Sequence, residues 1–373
     1  MLLQTHLNSL PLLRPWGLPR SVNEVCLIAL GEHLGLIKAF ALAHPDVAIR
    51  FLLVPDLPAG SPRECCLEIE GKKTCIPVGG LEELEKMPQW EKVCLCPPEG
   101  VLIAFCRYAA RVGIRTIYLE GKWPPAFGVR PALPNFYARY AAELQTVYDL
   151  LADDASREVY AARIKALITG NAGYLPASEH EEYYHPVVRP EAGDIMLDGG
   201  VSDMVGAQRR FAQSVGRNGQ VHGFEPIPWM AASARRSMAD CPQYHLHAAG
   251  LGEKRGQVRF ESLRDSSHIS QSGGENSVLC DMVSIDEFTR ENGINRVDCI
   301  KLDVEGAELL ALRGGKNTIL AHRPKLIVCL YHAPADMVTI PMYIRSLDPR
   351  YRMYVAHSSC VFTDTILYAH VPE

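Results

Sequence analysis

Two short apolar strands that each end in a carboxylate constrain the fold of this chain more than any other feature. Residues 194–198 predict a buried strand that ends at Asp198, and the Gly199–Gly200 pair follows it directly. A helical pattern then leads to a second predicted strand, residues 221–224, which ends in Glu225. Strand, glycine turn, helix, strand and acid, in this order, are typical of a nucleotide pocket in a doubly wound α/β sheet.

The residues of this segment suit a nucleoside. Because Gly199–Gly200 have no Cβ, the chain can turn sharply there and a ligand can lie against the backbone. The start of the helix after Val201 offers free N–H groups to that ligand. A carboxylate at the position of Glu225 can accept hydrogen bonds from both hydroxyls of a ribose, and it repels a ribose phosphate. We therefore expect Gly199–Gly200, Val201 and Glu225 to bind a cofactor with a plain ribose.

The pattern favours a cofactor that carries positive charge. NAD would need Gly-x-Gly-x-x-Gly after the first strand, and no third glycine follows Asp198-Gly-Gly at that spacing. The carboxylate of Asp198 is unfavourable for a pyrophosphate but suits an ammonium group. S-adenosylmethionine, with a ribose, an amino-acid tail and a sulfonium cation, fits this polarity better than NAD. On this segment alone, a tight strand–helix turn without a ligand is the alternative.

A third strand-end acid, Asp303, lies later in the chain. It ends another predicted strand, which begins at residue 297, and it precedes Glu305 and a helical pattern. Because ligands in open α/β sheets bind outside the carboxyl ends of the strands, we expect Asp198, Glu225 and Asp303 to converge on one crevice.

Several of these segments resemble one family. Residues 300–309, Ile-Lys-Leu-Asp-Val-Glu-Gly-Ala-Glu-Leu, resemble the signature of FkbM-type S-adenosylmethionine-dependent methyltransferases, and Asp198-Gly-Gly and Phe224-Glu-Pro occur in the same order as in that family. The resemblance covers the second half of the chain. It implies a seven-stranded Rossmann-like sheet and O-methylation of a hydroxyl on a sugar, glycan or related small metabolite. Met204 stands where the family usually has a glycine, which predicts looser packing of the first turn.

Catalytic roles are expected for His332, Asp303 and Glu305. Methyl transfer gains most of its rate from alignment of the nucleophile behind the methyl carbon, and Asp303 and Glu305 are positioned to meet the sulfonium side and the substrate. His332, at the end of the next predicted strand, is the expected general base, because the ordinary pKa of histidine is near neutrality; a histidine bonded to backbone is the equal alternative. We expect Lys301 to pair with an acid and Glu308 to be structural. No metal site is predicted, although Asp303, Glu305 and His332 could supply ligands to a divalent ion.

The whole chain predicts four parts. Residues 1–20 are an N-terminal extension, 21–135 a smaller Rossmann-like α/β domain of unknown role, 136–189 a helical linker, and 190–373 the FkbM-like methyltransferase domain. The glycines of the segment 31–35 do not form a dinucleotide fingerprint, which favours a degenerate domain. Two other functions stay open: an NAD-dependent oxidoreductase or epimerase that uses the first domain, and a non-catalytic nucleotide-binding protein.

The end of the linker is acidic and aromatic. His180 and His185 lie among acidic residues at a spacing that matches no common metal-ligand pattern, so we interpret the segment as a solvated linker. FkbM-like chains carry a helical lead-in of this kind, and Tyr183 and Tyr184 are expected to cover the adenosine pocket.

Composition excludes several classes of partner. The 373 residues carry 38 Lys and Arg against 43 Asp and Glu, a net charge of −5, which offers no footprint for nucleic acid or an anionic membrane. No apolar run is long enough to span a bilayer, and the first residues do not read as a secretory signal. The 12 cysteines include no Cys-x-x-Cys, which favours reduced thiols in a cytoplasmic protein. A homo-oligomer stays open.

Overall fold

The computed structural model describes the chain in stretches separated by gaps. The described residues are 3–4, 22–28, 34–54, 57, 60–69, 72–80, 82–83, 91–95, 117–120, 132–170, 174–175, 178, 180–201, 205–263, 266–269, 277–358 and 362–372. The chain divides into two compact units. The first comprises Met1–Ala141, Glu158–Glu179 and His357–Asp364, and the second Ala142–Arg157, His180–Ala356 and Thr365–Glu373. The four-part division expected from the sequence remains a prediction.

The first unit contains a six-stranded sheet. Its elements are β1 (Glu24–Ile28), α1 (Leu34–Ala43), β2 (Ala48–Leu53), β3 (Glu64–Ile69), β4 (Lys72–Gly79), β5 (Glu91–Leu95) and β6 (Ile117–Glu120). The strand order is β3-β4-β2-β1-β5-β6, and β1, β2, β5 and β6 pair in parallel. A smaller α/β sheet was expected here, and its parallel strands are confirmed. The sequence also predicts a helix over residues 101–112 in this domain, and these residues lie outside the described ones.

The antiparallel hairpin β3–β4 was not predicted. Cys66 and Cys75 are directly opposite each other in it and form a disulfide. The expectation of reduced thiols is therefore wrong for this pair, because the hairpin brings together two cysteines whose sequence spacing gave no sign of their proximity.

Two helices precede the second sheet, α2 (Phe136–Leu150) and α3 (Asp154–Thr169), close to their predicted bounds. In the segment after them, His185 is buried rather than solvated. The His185 ring lies 4.8 Å from the Tyr354 ring and 5.1 Å from the Tyr368 ring, measured between centroids. The expectation of a solvated linker is wrong at this position because aromatic side chains of the second sheet cover the histidine.

The second unit contains the seven-stranded sheet expected from the sequence. Its first part consists of β7 (Ile195–Gly199), α4 (Gly206–Val215), β8 (Gln220–Phe224), α5 (Pro228–Ser237) and β9 (Tyr244–His247). Its second part consists of β14 (Cys299–Leu302), α7 (Glu308–Gly314), α8 (Lys316–His322), β15 (Lys325–Cys329), α9 (Asp336–Leu347), β16 (Arg352–His357) and β17 (Thr365–His370). Between these parts lie β10 (Gly250–Leu251), β11 (Gly256–Leu263), β12 (Ser266–Ile269), β13 (Ser277–Val283) and α6 (Ile285–Glu291).

Strand order places a switch point in the middle of this sheet. The order is β16-β17-β15-β14-β7-β8-β9, so the chain runs outward from β7 through β8 and β9 and then returns to β14 on the other side. The strands from β15 to β9 in this order are parallel, and β17 is antiparallel to β15. The resemblance to the methyltransferase family implies an antiparallel strand at the edge of the sheet, but β17 lies one place inward, with β16 outside it. The ends of β7 and β14 therefore flank the position where ligands bind in such sheets.

The central strands are buried on both faces. Every residue of β14 is buried, and so are the last four residues of β15. This explains why they read in the sequence as continuous apolar runs rather than alternating patterns. Lys301 is the polar exception in β14.

A smaller sheet of order β10-β13-β11-β12 branches from this unit. The polar, glycine-rich segment 265–274 predicts a loop, but residues 266–269 form β12, because they pair with β11 in antiparallel register. Ser284 and Glu287 have the sequence spacing that predicts a capping box, and their reciprocal bonds at the start of α6 confirm it. None of the helices in the described part of the chain combines the length and apolar character needed to cross a membrane.

Candidate active site

The carboxyl ends of β7, β8 and β14 lie side by side. Asp198 in β7 is paired with Gly223 of β8 on one side and with Lys301 of β14 on the other. Glu225 follows β8 directly and Asp303 follows β14 directly. The structure thus brings the three predicted strand-end acids to adjacent strand ends at the switch point, while their binding roles remain predictions.

The Gly199–Gly200 turn is fixed against both neighbouring strands. The Gly200 N–H donates to the Phe224 carbonyl at 3.1 Å, and the Asp303 N–H donates to the Gly199 carbonyl at 3.1 Å. Gly200 has φ +86°, and a Cβ there would lie 1.7 Å from the Asp303 carbonyl oxygen. Only glycine fits this position, because a side chain would be strained and would collide with backbone.

A buried ammonium group holds the same turn from β14. Lys301 is 2% exposed, and its Nζ lies 3.2 Å from Asp198 Oδ1. Nζ also donates to the carbonyls of Gly199 (3.1 Å) and Gly200 (2.7 Å). Burial works against the charged form, but the negative charges of Asp198 and Asp303 outweigh it and raise the pKa of Lys301. The predicted pairing of Lys301 with an acid is confirmed.

Asp198 makes its contacts inside the protein. It is fully buried, and its Oδ2 accepts hydrogen bonds from the Tyr244 hydroxyl at 2.7 Å and from Gln208 Nε2 at 3.4 Å. Together with Lys301, these partners hold the carboxylate beneath the turn. Its expected direct contact with a ligand ammonium group remains a prediction.

Glu225 is held at the tip of β8. It is 6% exposed, its N–H donates to the His247 carbonyl at 3.1 Å, and its Oε1 accepts the Ile227 N–H at 2.8 Å. The side chain of Val201 is 2% exposed and packs in the apolar core, so its expected contribution to a cofactor site is through the backbone. Met204 lies outside the described residues.

The predicted catalytic residues come together at the next strand end. His332 Nε2 lies 3.6 Å from Asp303 Oδ1 and 3.4 Å from Glu305 Oε2, and His332 Nδ1 lies 2.9 Å from Glu308 Oε1. Glu305 has φ +54° and Gly306 has φ +95°, so a tight left-handed turn directs Glu305 back towards the histidine. Backbone strain of this kind is concentrated at functional sites in proteins.

The carboxylates change the acidity of His332. Burial alone lowers its pKa, but hydrogen bonds to Glu305 and Glu308 and the charges of Glu308 and Asp303 outweigh burial and raise the pKa to about 10. The expectation of a pKa near neutrality is therefore wrong. The backbone-bonded alternative does not describe the ring either, because its contacts given above are with carboxylates.

Asp303 is held by two tyrosines that sequence reasoning missed. The Tyr183 hydroxyl donates to Oδ2 at 2.8 Å, and the Tyr331 hydroxyl donates to Oδ1 at 2.7 Å. Burial opposes ionisation, but the charges of Lys301 and His332 and these two hydrogen bonds keep the pKa of Asp303 below its ordinary value. Tyr331 is adjacent to His332 in sequence and could have been found on that ground. Tyr183 lies 120 residues upstream of Asp303. The sequence predicts that it covers the adenosine pocket, but no pattern indicates its contact with Asp303.

Glu308 orders the turn between Asp303 and α7. Its Oε1 accepts the N–H groups of Val304 (2.8 Å) and Gly306 (3.4 Å), so its predicted structural role is confirmed. Ligand atoms of Asp303, Glu308 and His332 all lie within 4.8 Å of one another, so these three side chains could hold a cation.

Fold and site first define a class. The second unit has the features of a Rossmann-like methyltransferase domain. It contains a seven-stranded sheet with one antiparallel strand inside its edge, a glycine turn after the central strand, and acids at the neighbouring strand ends. Residues 198–357 match the family model of the methyltransferase FkbM domain, the family that the sequence resembles.

Two known proteins are similar to this chain. The 2-O-methyltransferase NoeI of Sinorhizobium fredii (strain NBRC 101917 / NGR234) is 27% identical over 148 residues, which cover 35% of this chain and 60% of that protein. The chain thus matches about three fifths of that relative's length. The crystal structure of methyltransferase FkbM from Methylobacillus flagellatus KT superposes with a TM-score of 0.53 at 20% identity, covering 94% of this chain and 90% of the other. That likeness shows the fold.

Proposed function

We propose that this chain is an S-adenosylmethionine-dependent methyltransferase that methylates a hydroxyl oxygen of a sugar, glycan or related small metabolite. The observation that carries the proposal is the meeting of the Gly199–Gly200 turn with the strand ends of Glu225 and Asp303 at the switch point. The name of the relative, a 2-O-methyltransferase, supports a hydroxyl oxygen as acceptor. The sugar or glycan rests on the family resemblance.

The charges at this edge suit a cationic donor. Four carboxylates (Asp198, Asp303, Glu305 and Glu308) surround the ammonium of Lys301 and the imidazolium of His332. This excess of negative charge favours a ligand with a sulfonium and an ammonium group over one with a pyrophosphate. When bound, S-adenosylmethionine supplies an electrophilic methyl group.

The protein's own residues then have distinct tasks. The Glu225 carboxylate would accept hydrogen bonds from the two ribose hydroxyls. Lys301 keeps the Gly199–Gly200 turn in the conformation that receives the ligand. Asp303 and Glu305 face the reacting groups. The neutral form of His332 accepts the proton of the acceptor hydroxyl. A cation near Asp303 lowers the pKa of His332 from its value of about 10, which increases the neutral fraction at ordinary pH.

Calorimetry with S-adenosylhomocysteine tests the cofactor site. Removing the Glu225 carboxylate in Glu225→Ala should weaken binding by at least about tenfold, because a charged acceptor then loses its hydrogen bonds to the ribose. Glu191→Ala is the matched control, since Glu191 is exposed and pairs with Lys325 at 3.0 Å. Undiminished binding by Glu225→Ala would contradict the ribose assignment.

A transfer assay then separates the classes of function. Metabolite extracts incubated with the protein and a donor radiolabelled on its methyl group should yield a labelled product, which identifies the acceptor. Binding of S-adenosylhomocysteine without any transfer would indicate a non-catalytic protein. A fluorescence titration that detects NADH binding instead would favour an oxidoreductase.

A further inference from the structure

We propose that Tyr183 is a positioning residue, whose phenol fixes the orientation of the Asp303 carboxylate from a segment upstream of the methyltransferase family match. The proposal rests on the proposed function, since it concerns the same site. Tyr183 precedes the matched residues 198–357. The segment before the matched domain would thus supply a working part of the site.

Both oxygens of the Asp303 carboxylate accept a hydrogen bond from a tyrosine. Tyr183 donates to Oδ2 at 2.8 Å and Tyr331 donates to Oδ1 at 2.7 Å, while Oδ1 also lies 3.6 Å from His332 Nε2. The terminal torsion of an aspartate is broad, so a single donor leaves the carboxylate free to rotate. Two donors on opposite oxygens fix its plane, and that plane determines which oxygen faces His332.

Tyr183 is itself held tightly in an unfavourable conformation. Its φ is +64°, a left-handed value that costs a bulky residue about 1–2 kcal/mol. The side chain is 5% exposed, the backbone N–H donates to the Tyr368 hydroxyl at 3.1 Å, and the ring packs edge-on against Phe211 with 5.7 Å between centroids. Backbone strain of this kind persists where the surrounding contacts fix the conformation, and in this conformation the Tyr183 hydroxyl reaches Asp303.

The ring and the hydroxyl of Tyr183 have separable tasks. The ring centroid lies 5.1 Å from the Nζ of Lys301, within cation–π range. Burial and the nearby Asp303 charge raise the pKa of Tyr183 well above its ordinary value, so the hydroxyl keeps its proton and donates it to the carboxylate. Substitution by phenylalanine removes the hydroxyl and leaves the ring over Lys301.

The neighbouring tyrosine provides a matched control. The Tyr184 hydroxyl bonds Ser214 Oγ at 2.9 Å, and the Tyr184 ring stacks on the same Phe211 with 6.1 Å between centroids. Tyr183→Phe and Tyr184→Phe therefore remove one hydrogen bond of similar length from adjacent residues packed on one side chain. Only the first hydroxyl contacts Asp303.

The decisive measurement compares the affinities for S-adenosylmethionine and S-adenosylhomocysteine, because only the former carries the sulfonium charge that Asp303 faces. We expect Tyr183→Phe to reduce the ratio of the affinity for S-adenosylmethionine to the affinity for S-adenosylhomocysteine by about threefold or more, since a hydrogen bond to a charged group is lost. Tyr184→Phe should keep the wild-type ratio. Tyr331→Phe, which frees the other oxygen of the same carboxylate, should reproduce the effect.

Turnover gives a second, independent readout. Tyr183→Phe should lower kcat by about tenfold with little change in KM. Tyr184→Phe should keep the wild-type kcat and KM. Equal ratios and equal kcat values for Tyr183→Phe and Tyr184→Phe would overturn the positioning role while leaving the proposed function intact. Failure of the wild type to bind either ligand would instead overturn the proposed function, and the positioning role with it.

Discussion

A substitution at Gly200 can separate the effect of backbone strain from the effect of a change in site geometry. Gly200→Ala adds a Cβ at φ +86°, where the new atom would lie 1.7 Å from the Asp303 carbonyl oxygen. Gly193→Ala is the matched control, because Gly193 has φ +87° and a Cβ there would meet no atom within 4 Å. Both substitutions impose the same conformational strain, but only the first collides with the strand end that carries Asp303.

The structure gives the size of each effect. Strain alone costs about 1–2 kcal/mol of unfolding free energy, which is the whole expectation for Gly193→Ala. In Gly200→Ala, the Asp303 carbonyl must also retreat by about 1.7 Å before it reaches an ordinary contact distance of 3.4 Å, and a misplacement of about 1 Å at a reacting group costs about 100-fold in rate. We therefore expect kcat/KM to fall by at least about 100-fold in Gly200→Ala and by less than about threefold in Gly193→Ala.

Two assays check this pair of variants. Methyl transfer measures kcat/KM, and hydrogen exchange of β7 and β14 measures the local free energy of opening. Equal activity in the two variants would refute the reasoning, since the collision with Asp303 would then have no consequence for the site.

Two further predictions concern the buried charges. Lys301→Met should lower the opening free energy of β7 and β14 by about 3–5 kcal/mol, because it leaves Asp198 buried without its cation, and adding Asp198→Asn should recover more than half of that loss in hydrogen exchange. His332→Ala should lower kcat far more than affinity for S-adenosylhomocysteine. Equal losses of both would show that His332 has a structural role and is not the general base. Since the pKa of His332 is raised to about 10 in the free protein and its neutral form accepts the proton, kcat/KM for the methyl donor, which reports the free protein, should increase with pH up to about 10 in the wild type, and this limb should vanish in the variant. The stability that the charged ring contributes should be complete below pH 6.5 and lost as pH increases through about 10.

The parallel core was predictable because its strands are buried on both faces. An apolar run before Asp198 and a largely apolar run, broken by Lys301, before Asp303 indicate β7 and β14, and the acid that follows each run indicates the ligand edge. The Lys301 pairing could also be inferred, since a lysine inside a buried strand needs a carboxylate partner.

The rest depends on long-range contacts that local pattern does not encode. Tyr183 reaches Asp303 only through the fold of the whole second unit, and Cys66 meets Cys75 only through a hairpin without a recognisable turn signal. The acidity of His332 was misjudged for the same reason: residues 303–308 look like a strand end and a helix start, yet a left-handed turn at Glu305 gathers three carboxylates around the ring.

The central claim is that one donor pocket lies where β7, β8 and β14 end. A crystal structure of the protein with S-adenosylhomocysteine tests it most directly. We predict both ribose hydroxyls within hydrogen-bond distance of the Glu225 carboxylate and the amino-acid tail against the Gly199–Gly200 turn. A ligand bound elsewhere, or one whose ribose does not contact Glu225, would contradict the account.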